Sequence, residues 1–123
     1  APDLGFDCVW VIRYAYELQG LSLPAEVIEA FQAYHRPPNG RRMLAMMRRW
    51  FIEKTEGEME PSDLYVIFNR KNPCHLAVKM TQEHPPMIAE AYESKCGAIS
   101  KFIIHRKNAD HKIAACFRIP DFD

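Results

Sequence analysis

The spacing of apolar positions changes once along the chain. Up to residue 51 they recur every three or four residues, as in helices with one buried face. From residue 64 onward they come in short β-rich runs separated by turn residues. The spacing predicts a first helix over 8–19, with Cys8, Ile12, Ala15 and Tyr16 near one face and Arg13 and Glu17 on another. Asp7 is placed to cap it, and Gly20 to stop it. Leu23-Pro24 restarts the chain. Val27, Ile28, Phe31 and Tyr34 then give a second amphipathic helix, closed by Pro37-Pro38. Asn39-Gly40 opens a third, with Met43, Leu44, Met46, Met47, Trp50 and Phe51 as a broad apolar stripe. A core-facing role explains that stripe better than a partner groove, because a small domain needs such a face. Arg41, Arg42, Arg48 and Arg49 read as the solvated side. Arg41 and Arg42 oppose the helix dipole, a hint of an external anionic partner.

Residues 55–63 are polar, contain Gly57 and Pro61, and read as a loop. Five strands are predicted after it: Leu64–Asn69, His75–Thr81, Ile88–Tyr92, Ala98–His105 and Lys112–Arg118, with a turn at His84-Pro85-Pro86. Helices first and strands second imply an α+β domain in which N-terminal helices pack on an antiparallel sheet. The chain holds no internal repeat and no low-complexity segment.

Composition narrows the function classes. The 123 residues suit one domain over 1–123, and the 48% hydrophobic content excludes a disordered chain. Sixteen basic residues balance sixteen acidic ones, so charge offers no argument for nucleic acid as a partner. No apolar run approaches a membrane span, and no signal peptide is seen. The abrupt start at Ala1 leaves room for a missing leader or N-terminal segment. Cys8, Cys74, Cys96 and Cys116 form no C-x-x-C pair. The last three read as reduced structural thiols. Two disulfides are possible on count alone, and the spacing suits a metal or iron–sulfur site poorly.

Two residues carry candidate chemistry. Cys8 falls in the first turn of the first helix, where the dipole favours a thiolate, the nucleophilic form of cysteine. His75 begins a strand and offers an imidazole to take that proton and later return it to a leaving amine. Singly, such a cysteine is usually a small core residue and such a histidine usually structural. His35 precedes a Pro-rich break, His84 lies in a turn, His105 ends a strand and His111 begins one. The sequence places none of these four against a nucleophile. Strand alternation puts Ile88, Glu90 and Tyr92 on one face. A carboxylate among apolar neighbours needs a partner, which an imidazole N–H supplies. An exposed Glu90 paired with a surface Lys or Arg is the alternative, with His84 or another polar group as orienter instead.

The segment Phe6-Asp7-Cys8 with Val11, Ile12, Arg13 and Tyr14 resembles the opening of NlpC/P60 cysteine peptidases, especially forms associated with phage tails. Further motifs follow in the same order. Glu60–Phe68 resembles the family's P-G-D-L strand opening, and His75-Leu76-Ala77-Val78 its H-V-G-I strand. Ile88-Ala89-Glu90-Ala91 lies where a V-H-A segment is frequent, Cys96-Gly97-Ala98-Ile99 resembles the following G-V-V, and Ile113–Pro120 the closing strand. Ser62 and Ala77 stand where glycine is usual, and Glu90 where histidine, asparagine or glutamine is common. The resemblance implies a papain-like α+β core and cleavage of peptidoglycan stem peptides, with no metal or organic cofactor. In that reading Cys8 is the nucleophile, His75 the base and then acid, and Glu90 the group that orients His75. The backbone N–H of Cys8 serves as oxyanion donor. Glu90→Gln should then keep some activity, and Glu90→Ala should lose far more. The setting implied is a virion tail tip or the bacterial cell envelope, with other tail-tip proteins as partners. The competing expectation is a catalytically inactive structural or adaptor domain of a tail tip with the same fold.

Overall fold

Two apolar layers, one on each side of a single sheet, organise the molecule. The computed structural model describes residues 11–12, 14–20, 23–33, 40–69, 71–93 and 99–122. Residues 11–12 and 14–17 are helical (α1). Helices α2 (Ala25–Ala33) and α3 (Gly40–Trp50) follow. The strands are β1 (Ile52–Lys54), β2 (Leu64–Asn69), β3 (Asn72–Lys79), β4 (Met87–Glu93), β5 (Ile99–Arg106) and β6 (Ile113–Arg118), with a short 3-10 turn at Glu56–Glu58. They form one sheet in the order β1-β6-β2-β3-β4-β5, antiparallel at every pairing. The protein is therefore α+β with an antiparallel sheet. The five predicted strands are present within a few residues of their expected bounds, and β1 is an addition. Three residues with two exposed side chains carry no alternation to read, and β1 exists through its ladder to β6.

The helices cover one face. Val11, Ile12, Ala15 and Tyr16 of α1, Val27 of α2 and Met43 and Met47 of α3 pack with Leu64, Val66, Leu76, Val78, Ala89, Ala115 and Phe117. The methionine stripe is thus core, while Arg41, Arg42, Arg48 and Arg49 are exposed. Arg48 pairs with Glu53 at 3.0 Å, and Arg49 stacks over the Trp50 ring. Gly20 adopts φ 73 beyond α1, the left-handed stop that its position predicts. Among the described residues no helix is long and apolar enough to cross a membrane.

The other face is buried too. Met59, Tyr65, Ile67, Ala77, Ile88 and Cys116 form a second cluster there, with Ile113 at its margin. Its cover follows from topology. Successive antiparallel pairings from β5 through β4, β3 and β2 to β6 make β5 and β6 run the same way, with three strands between them. Residues 107–112 therefore cross the sheet on the face away from the helices. Lys107 is anchored by Glu56 at 3.7 Å, Lys107 N–H by the Pro86 carbonyl, and the Lys112 carbonyl by Phe68 N–H.

The chain enters β2 through a tight turn with a strained residue. Asp63 N–H donates to the Glu60 carbonyl at 3.0 Å, and Pro61 and Ser62 occupy the turn's centre. Ser62 has φ 76, the left-handed region that glycine suits. Ser62 N–H is nonetheless held by the Lys79 carbonyl at 2.8 Å, and the Asp63 carboxylate accepts from Glu60 N–H. Asp63 is buried and accepts from Arg118 at both oxygens, Nε to Oδ1 at 3.0 Å and to Oδ2 at 3.3 Å and Nη2 to Oδ2 at 2.8 Å, which ties the turn to β6. The same bonding raises the Arg118 pKa further. Ser62→Gly should remove the left-handed penalty and stabilise the protein by about 1 kcal/mol. Urea unfolding would read this as a higher midpoint at unchanged slope. A midpoint equal to or below that of the wild type would show that the turn stores no such strain.

Candidate active site

A buried glutamate with three imidazoles around it is the principal polar feature of the non-helical face. Glu90 lies in β4 opposite Ala77 of β3 and Ile103 of β5, so its side chain enters the second apolar cluster. It is only 1% exposed. A carboxylate so placed must be bonded, since leaving it bare in an apolar setting costs several kcal/mol. His75 stands two residues before Ala77 on the same face of β3, and its Nε2 is 2.8 Å from Glu90 Oε1. His105 stands two residues after Ile103 on β5, and its Nε2 bonds Glu90 Oε2. His111 descends from the crossing segment, with Nε2 at 3.1 Å from the same Oε2.

The crossing segment sets the His111 ring. Residues 108–111 form a turn in which His111 N–H donates to the Asn108 carbonyl at 3.1 Å and Asp110 N–H to Asn108 Oδ1 at 2.8 Å. Asn108 N–H in turn donates to His111 Nδ1 at 2.9 Å. A ring whose Nδ1 accepts must, when neutral, carry its proton on Nε2. His111 is thus an obligate donor to Glu90. The His105 and His111 rings also meet edge to face, with centroids 5.4 Å apart.

Glu90, His105 and His111 bring three possible ligand atoms within 4.8 Å of one another. A divalent cation there would need the lone pair of His111 Nε2 and hence a proton on Nδ1, normally donated to an acceptor. Asn108 offers a donor at that nitrogen. The arrangement is a hydrogen-bond network of three imidazoles on one carboxylate in which His111 is a fixed donor, and a His111 Nε2 that carries a proton does not fit a cation.

His75 and Glu90 are in direct contact across neighbouring strands. Cys8 lies outside the described residues, as do Asp7, His35 and Cys96. His84 is exposed in the 82–85 turn. His105 and His111 join Glu90, a role the sequence reading did not give them. Their signal was faint: His105 falls in phase with Ile103 on a strand face, and His111 closes an Asn-x-Asp turn. Cys116 is a buried free thiol beside Tyr65 in the β2–β6 register. Burial pushes its pKa up to about 12, with the Glu56 and Asp63 charges adding to the shift. Burial likewise raises Tyr65. Cys116 is therefore a protonated, buried thiol at neutral pH.

One further geometric feature adjoins His75. The β3–β4 ladder runs from Lys79↔Ile88 to Ala77↔Glu90, although β3 reaches back to Asn72 and β4 on to Glu93. Among the described residues the two strands do not pair with each other beyond Ala77, and His75 reaches Glu90 across the start of that opening. No protein-family model, curated protein or solved structure matches the chain.

The thiol assignment is directly measurable. Mass spectrometry after exposure of the native protein to a maleimide at neutral pH should find Cys116 unmodified, and unfolding should make it reactive. Rapid native labelling of Cys116 would contradict its burial and raised pKa.

Proposed function

We propose that the protein is a cysteine peptidase of the NlpC/P60 type that cleaves the stem peptides of peptidoglycan, with a papain-like arrangement of helix and sheet. The supporting observation is the 2.8 Å contact between His75 Nε2 and the buried Glu90 carboxylate. It supplies the base and its orienter, two of the three groups that acyl transfer by a thiol requires. With Nε2–H donating to Glu90, Nδ1 of His75 is the nitrogen that exchanges a proton with the nucleophile. Cys8, which precedes α1 in the sequence and lies outside the described residues, is the residue assigned to that role by the resemblance of its segment.

In this mechanism Nδ1 takes the thiol proton, and the Cys8 thiolate adds to the scissile carbonyl. Glu90 stabilises the imidazolium so formed, and Cys8 N–H stabilises the oxyanion. His75 then protonates the leaving amine, which departs and leaves a thioester. Water activated by the same imidazole hydrolyses the thioester and restores the thiol. The chain's own residues suffice, so no metal or organic cofactor enters the steps. The phage-tail type of the resemblance suggests a local opener of the cell wall, at a tail tip or in the bacterial envelope, working beside other tail-tip proteins.

A second reading has one observation in its favour. Leu76, not His75, faces the helical layer with Val11 and Ile12. Cys8 lies outside the described residues, and the peptidase reading requires its thiol to reach the His75 face of the sheet. If it does not, the domain is a structural or adaptor part that keeps the fold.

Hydrolysis of purified peptidoglycan, followed by release of new amino groups, separates the two. Cys8→Ala and His75→Ala should each reduce the rate on the order of 10³-fold or more while the circular dichroism spectrum is retained. Undiminished hydrolysis by Cys8→Ala removes the mechanism. A folded wild type without hydrolysis selects the adaptor reading.

A further inference from the structure

A carboxylate presents two equivalent oxygens, so Glu90 can accept from His75 on one side and from His105 and His111 on the other. That equivalence hides a constraint. We propose that His111, locked by the Asn108 backbone N–H, is a positioning residue that claims one oxygen of residue 90 and so, where that side chain has a single oxygen, decides which atom faces His75 and which nitrogen of His75 holds its proton. The proposal rests on the peptidase reading of Cys8 and His75 for its catalytic meaning, but its structural content is independent of turnover.

His111 Nδ1 accepts from Asn108 N–H at 2.9 Å, so its Nε2–H must find an acceptor, and Glu90 Oε2 lies 3.1 Å away. His111 is only 9% exposed at its side chain, so water is a poor substitute. His105 is 32% exposed, and water can satisfy either of its tautomers. An oxygen is therefore compulsory at the Oε2 position and optional for His105. In the native protein the second oxygen of Glu90 remains for His75, whose Nε2 then carries the proton. Nδ1 is left as the basic nitrogen, which the proposed mechanism needs.

An amide at position 90 exposes the constraint. In Glu90→Gln the side chain keeps one oxygen, and His111 claims it. The NH2 group then faces His75 and donates to Nε2, which drives the His75 proton onto Nδ1. That is the nitrogen meant to accept from the nucleophile. Sequence reasoning alone makes Glu90→Gln the mild substitution, because an amide oxygen can accept the His75 N–H. The network reverses that expectation. Glu90→Gln should be at least as damaging as Glu90→Ala, and removing the His111 donor should relieve it.

The test uses the full chain with ¹⁵N-labelled histidine, read by long-range ¹H–¹⁵N correlation spectra for tautomers and by peptidoglycan hydrolysis for kcat and KM. Wild type should show His75 and His111 with protons on Nε2. Glu90→Gln should move the His75 proton to Nδ1 and lower kcat on the order of 10³-fold with little change in KM, as for a base held in the wrong tautomer. Adding His111→Ala to Glu90→Gln should return His75 to the Nε2–H form and recover roughly tenfold or more of kcat. The same His111→Ala change in the wild-type background should lower kcat severalfold. A loss in one background and a gain in the other is a pattern that a merely structural role does not give. Should His111→Ala fail to fold, His111→Gln serves, since its amide can turn either end to residue 90. The proposal is overturned by a His111 ring protonated on Nδ1, the form a bound cation would need. It is also overturned by a folded Glu90→Gln that keeps His75 in the Nε2–H form, or by a folded double variant in which His75 does not revert. A wild type without hydrolysis removes the peptidase reading alone, because the tautomer spectra still decide the role of His111.

Discussion

Burying the carboxylate of Glu90 is the constraint on which the non-helical face depends. A bare carboxylate among Ile88, Ala77 and Ile67 would oppose folding by several kcal/mol, comparable with much of the stability of a domain this size. Three imidazole N–H groups remove that penalty, and each comes from a different segment. His75 requires the β3–β4 register that pairs Ala77 with Glu90, and His105 requires the β4–β5 register that pairs Ile103 with Glu90. His111 requires the 107–112 segment to cross on this face and no other. A slip of one residue in either ladder would turn Glu90 or its histidines to the opposite face, into the layer filled by α1 and α3. The polar cluster thus specifies register while the apolar layers supply the driving force.

The same arrangement relates packing to chemistry. In the proposed peptidase the residue that orients the base has to be fixed in position and shielded from water, and the burial of Glu90 under the crossing segment would provide both. The reacting nitrogen has to remain accessible. In the proposed peptidase His75 would meet both needs, with one nitrogen on the buried oxygen and a ring still 26% exposed beside the opening between β3 and β4. Asp63, a second buried carboxylate, is paired with Arg118. That pair lies at the start of β2 and the end of β6, and locks the turn that carries left-handed Ser62. It has a structural task.

Much of the fold was legible because the apolar spacing is unambiguous where it matters. Met43 and Met47 recur at helical spacing and are buried together, whereas Arg41, Arg42, Arg48 and Arg49 face outward. The run Leu64 to Ile67 reads as a strand, and its unbroken apolarity reflects a sheet covered on both faces. β1 was illegible, since its three residues are held by β6 and not by local preference. At the site, strand alternation correctly set Glu90 among apolar neighbours and gave it an imidazole partner. His105 and His111 escaped notice because their roles arise from the path between β5 and β6. Topology of that kind is fixed by strand order, which no local pattern encodes. His105 does lie near the end of β5, but His111 does not begin a strand, since β6 starts at Ile113 and His111 belongs to the crossing segment.

Neutron diffraction from a deuterium-exchanged crystal tests the central claim most directly, because it locates the protons on which the network depends. The account requires deuterons on Nε2 of His75, His105 and His111, each directed at a Glu90 oxygen that carries none. It also requires a deuteron on Asn108 N directed at His111 Nδ1. A deuteron on Nδ1 of His111, or a Glu90 side chain turned away from His75, would contradict it.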